Sequence, residues 1–139
     1  MDGVCFEDLA VGMTASTGKT ITAADILMFA AVSTDTNPVH LNEEAAAKTP
    51  FGTRIAHGML SAGLISAVLG TKLPGPGTVY LSQTLRFRAP VKIGDTVTAV
   101  VEVTELDAAK QRATLKTTCS VRGKLVIDGE AVVIPPARS

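Results

Sequence analysis

Asp35 and His40 stand five residues apart, with Thr36, Asn37, Pro38 and Val39 between them. A carboxylate and an imidazole are well suited to moving protons near neutral pH. Pro38 stiffens the stretch, and Asn37 offers side-chain hydrogen bonds that hold a loop rigid. The two titratable groups can therefore converge on one small site. Adding water to a double bond needs such a pair, because one proton must leave water and one must reach carbon. Taken alone, the pattern is weak and more often describes a turn aspartate and a surface histidine.

A second stretch adds weight. His57 and Gly58 precede Met59, Leu60 and a long uncharged apolar run. The first N–H groups of a helix have no internal partners and lie at its positive end. Glycine leaves room for a substrate oxygen to approach the Gly58 N–H, which is what an oxyanion hole requires. The other readings are a glycine chosen for close packing and a histidine that packs or caps.

These residues need a frame. Met13 to Lys19 is a strand candidate. Thr22 is an N-cap candidate with Asp25 three residues on, close to a capping-box pattern, for a helix over Ala23–Ser33, and Ile26, Phe29, Ala30 and Val32 form its apolar face. The segment from Thr34 to Pro38 breaks that helix. A short helix follows Asn42, with Glu43 and Glu44 in its first turn. The run from His57 to about Leu69 is apolar all round, so it is expected to be buried on every face, with Gly70 just past its end. Strands are expected over 78–88, 96–106, 111–122 and 124–134. Val97, Ala99, Val101 and Val103 alternate with polar neighbours, as in a sheet with one buried face. Long curved antiparallel strands around one apolar helix describe an α+β hot-dog fold.

The 139 residues suit one domain, spanning 1–139. Thirteen basic residues balance thirteen acidic ones, and with no basic run nucleic acid is a poor partner. Cys5 and Cys119 have no CxxC spacing, so neither a disulfide framework nor a zinc site is expected, and Cys119 reads as core. An acidic N-terminus and the lack of an 18-residue apolar run point away from secretion and membranes and toward the cytoplasm. Glycine-rich nucleotide motifs are missing too.

The stretch from Phe29 to Leu41 resembles the hydratase motif of MaoC-like (R)-specific enoyl-CoA hydratases. Residues 55–60 resemble that family's second signature, and residues 80–87 and 91–95 are also similar to family stretches. The resemblance covers nearly the whole chain and is nearest to the short hydratases that supply polyhydroxyalkanoate synthesis. It implies reversible hydration of trans-2-enoyl-CoA to (R)-3-hydroxyacyl-CoA. Asp35 and His40 match the catalytic pair. Gly58 matches the donor to the thioester carbonyl, Ser66 an assisting serine and Asn37 a site-shaping asparagine. Val133 resembles a pocket-lining position, and Leu69, at the end of the helical face that carries Gly58, Ala62 and Ser66, is the candidate pocket floor. One departure is Thr34, where many members have glycine. Coenzyme A enters as part of the substrate, with no cofactor or metal, and a homodimer is expected. The rivals are an acyl-carrier-protein dehydratase, a hot-dog thioesterase and a non-catalytic acyl-CoA binder.

Overall fold

In the computed structural model, which describes residues 2–139, five strands form one antiparallel sheet. The strands are β1 (Thr14–Thr20), β2 (Val79–Phe87), β3 (Thr96–Asp107), β4 (Arg112–Val121) and β5 (Lys124–Ile134), in the order β1-β3-β4-β5-β2. Four helices precede β2: α1 (Ala23–Ser33), α2 (Pro38–Leu41), α3 (Glu43–Ala47) and α4 (Gly58–Thr71).

Local chemistry sets most boundaries. The capping box forms as expected: Asp25 N–H donates to Thr22 Oγ1 at 3.1 Å, and Thr22 N–H donates to Asp25 Oδ2 at 2.9 Å. Lys19 also pairs with Asp25 at 3.0 Å. Those bonds hold the Asp25 carboxyl below its ordinary range, the Thr22 backbone N–H contributing most and Lys19 next. Arg122 and Gly123 both take positive φ, 50° and 77°. A two-residue turn of that kind matches the twist of the strands it joins.

The core lies between α4 and the concave face of the sheet. Val97, Ala99, Val101 and Val103 of β3 are fully buried, and so are Ala113, Leu115, Thr117 and Cys119 of β4. Ala62, Ile65, Val68 and Leu69 of α4 belong to the same buried set. Burying one branched side chain contributes about 1.5–3 kcal/mol, so this face pins α4 across the strands. Burial pushes the Cys119 thiol up to about 11, as suits a core residue.

Two expectations about α4 need correction. Gly70 lies inside the helix, which continues to Thr71; its φ is not positive, so it is no cap. Nor is α4 buried on every face. Met59, Gly63, Ser66, Ala67 and Gly70 are exposed in this chain. Edge strand β2 shows apolar side chains as well, with Val79, Tyr80, Leu81 and Phe87 all exposed.

Candidate active site

Asp35 follows Thr34, the α1 cap, whose φ of 67° turns the chain sharply away from the helix. Three hydrogen bonds then fix the aspartate. Its N–H donates to Ser33 Oγ at 3.1 Å. Its Oδ1 accepts from Asn37 N–H at 3.2 Å. Its carbonyl oxygen lies 2.9 Å from His57 Nε2. Oδ2 is left facing the ring of His40, with a 4.0 Å separation from His40 Nε2.

His40 lies in α2, a one-turn helix rather than a loop. Asn37 is its N-cap, accepting from Val39 N–H at 3.1 Å, and Pro38 sits where a helix tolerates proline. The His40 carbonyl accepts from Arg54 Nε at 2.7 Å. Its ring Nδ1 lies 2.8 Å from the Ile55 carbonyl oxygen. A carbonyl only accepts, so Nδ1 carries the hydrogen. In the neutral ring, Nε2 is then a bare acceptor directed at Asp35.

His57 caps α4 without a side-chain capping bond. Its ring stacks on His40 with centroids 3.8 Å apart and touches Phe29 at 4.8 Å. Gly58 opens α4, where its N–H has no intrahelical acceptor. A cleft of about 370 Å³ brings these groups together: Phe29, Ser33, Asp35, His40, His57, Gly58, Met59 and Phe87 line it. The Asp35 side chain is half exposed at its mouth, while His40 is nearly buried. An oxygen at ordinary hydrogen-bond distance, about 2.8 Å, fits against Oδ2 and Nε2 at once.

The other expected residues lie elsewhere. Asn37 shapes the site through backbone bonds, donating its N–H to Asp35 and capping α2 with its side chain. Ser66 is two helical turns from Gly58, about 12 Å along the axis. It lines a separate cleft of about 310 Å³ with Met59, Ala62, Gly63, Tyr80, Gln83 and Leu85. Leu69 and Val133 are buried core and do not line the Asp35/His40 cleft. The sequence reading missed the double role of His57; its only signal was a histidine directly before the helix-opening glycine. One ligand atom each from Asp35, His40 and His57 also lies within 4.8 Å of the others. Both rings already commit one nitrogen to a carbonyl.

A second cleft of about 310 Å³ shares Gly58 and Phe87 with the first and runs along Phe51, Ile55, Ala56 and Arg88. Gly58 and Phe87 therefore line both clefts.

Residues 9–125 match the family described as MaoC like domain. The chain belongs to the MaoC-like family. Among curated MaoC-like relatives, the (R)-specific enoyl-CoA hydratase of Rhodospirillum rubrum is 62% identical over 133 residues, covering 96% of this chain and 92% of that protein. The solved (R)-hydratase from Aeromonas caviae involved in PHA biosynthesis superposes with TM-score 0.91 at 49% identity, covering 94% of this chain and 99% of the other. A more distant relative is the mitochondrial 3-hydroxyacyl-[acyl-carrier-protein] dehydratase of Arabidopsis thaliana, 37% identical over 92% of this chain and 78% of its own length. The MaoC-like fold of this chain is thus the hot-dog α+β arrangement expected from its strand and helix pattern.

Proposed function

We propose that this MaoC-like chain is an enoyl-CoA hydratase that adds water reversibly to trans-2-enoyl-CoA and yields (R)-3-hydroxyacyl-CoA. The observation that carries the reading is the placement of Asp35 Oδ2 and His40 Nε2, 4.0 Å apart, on one cleft with the open N-terminus of α4. Water held by both groups attacks the β-carbon. Its proton passes to Asp35, with His40 as the proton-handling partner, and a proton is delivered to the α-carbon from the pair. The two groups act as one unit in this exchange. Charge moves onto the thioester oxygen, where the Gly58 N–H meets it. One such donor contributes about 3–4 kcal/mol at the transition state. Every step is a proton transfer or an addition, so the residues named suffice and the reaction calls for neither metal nor organic cofactor.

The (R) configuration and the CoA substrate follow the more similar relatives. A carrier-protein substrate would want a free basic patch near the cleft mouth. Arg88 is paired with Asp128 at 3.1 Å and Arg54 is bound to the His40 carbonyl, but basic side chains serve a CoA phosphate as well as a carrier protein, so the CoA reading rests on the relatives. We infer further that two copies pair and work in the cytoplasm. The exposed apolar edge of β2 and the open side of α4 are the surfaces such a pair would cover. Light scattering at assay concentration tests the pairing, since a fully active monomer would contradict it. For the reaction, purified protein is mixed with crotonyl-CoA and loss of enoyl absorbance is followed. Release of free CoA instead would make the chain a thioesterase, and binding without turnover would make it a binder.

A further inference from the structure

We propose that His57 is a positioning residue for the Asp35/His40 pair, a role that rests on the hydratase reading above. Its Nε2 faces the Asp35 carbonyl oxygen at 2.9 Å, so Nε2 carries the hydrogen and donates it. The same ring lies flat against His40 at 3.8 Å, and the residue directly precedes Gly58. One buried side chain therefore touches the backbone of one reacting residue and the ring of the other, and leads into the oxyanion donor. His57 is 2% exposed, and its Nδ1 has no partner among the described residues. A residue chosen for volume alone would carry no such nitrogen, because leaving it unpaired is unfavourable; phenylalanine fills the space without it. The polar ring is explained by the bond to Asp35. That bond holds the carboxylate at its working distance from His40.

Two variants separate positioning from packing. His57→Phe keeps the aromatic volume and removes the donor. His57→Gln removes the ring, but its amide N–H reaches the place of Nε2. With crotonyl-CoA, His57→Phe is expected to lower kcat about 10- to 100-fold with KM little changed, as misplaced reacting groups do. His57→Gln is expected to restore most of that loss even with a lower melting temperature. Full activity in His57→Phe, or a folded His57→Gln as impaired as His57→Phe, overturns the assignment. Should His57→Phe not fold, His57→Gln alone decides: kcat near wild type supports the role, and a large loss in folded protein overturns it. Wild-type protein is assayed beside them. A silent wild type removes the hydratase reading and the positioning role together, whereas an active wild type matched by His57→Phe removes only the latter.

Discussion

Phe87 lies so close over Gly58 that a Cβ at position 58 would sit 2.5 Å from the ring's Cε1. The ring comes from edge strand β2 and is half exposed in the single chain, so it is the ring that must swing aside. Gly58→Ala should therefore fold, with the Phe87 ring displaced. The added methyl occupies the approach to the Gly58 N–H. With the N–H present but its approach blocked, kcat/KM should fall by as much as about 10²-fold, read with crotonyl-CoA beside a thermal melt. Unaltered kinetics would place the oxyanion contact elsewhere.

Thr34 holds a left-handed conformation that a β-branched residue adopts only with strain. Such a residue costs about 1–3 kcal/mol, while glycine there loses about 0.5–1 kcal/mol in chain entropy. Thr34→Gly should raise stability by roughly 1 kcal/mol, or a few degrees in Tm. Activity should hold, because Asp35 is fixed by Ser33, Asn37 and His57 rather than by the Thr34 side chain. A lower Tm would show that Thr34 is not strained in this way.

Leu69 and Val133 share the core behind the site. Leu69→Ala should cost roughly 2–5 kcal/mol of stability through the void it leaves. Because Leu69 does not line the Asp35/His40 cleft, the kcat/KM ratio of octenoyl-CoA to crotonyl-CoA should stay unchanged, and a gain for octenoyl-CoA would restore Leu69 as the pocket floor. A lower Tm with an unchanged ratio would confine Leu69 to packing.

Much of the fold was legible because the signals were local. The capping box at Thr22 and Asp25 fixed the start of α1, and alternation along Val97–Val103 marked β3. Proline at 38 was read as a breaker, yet Asn37 makes it the opening residue of α2. The same pair of signals ends one helix and starts another, and periodicity cannot resolve a single turn. Gly70 does not end α4, because Val68 and Leu69 before it are buried and Leu73 beyond it is buried with its N–H bonded to the Val68 carbonyl, which keeps the chain turning past the glycine. For the site, the five-residue spacing of Asp35 and His40 was a weak signal alone, and it gained weight from the His57-Gly58 stretch and the family resemblance. The bond from His57 to the Asp35 carbonyl joins positions 22 residues apart, and only the folded chain displays it.

Crotonyl-CoA turnover by wild type, Asp35→Asn and His40→Ala, with product configuration determined, tests the central claim most directly. The account predicts wild-type hydration to (R)-3-hydroxybutyryl-CoA. It also predicts a loss of about 10²- to 10⁴-fold in each folded variant, the usual effect of removing a general acid or base. Near wild-type turnover in either variant, or the (S) product from wild type, would contradict it.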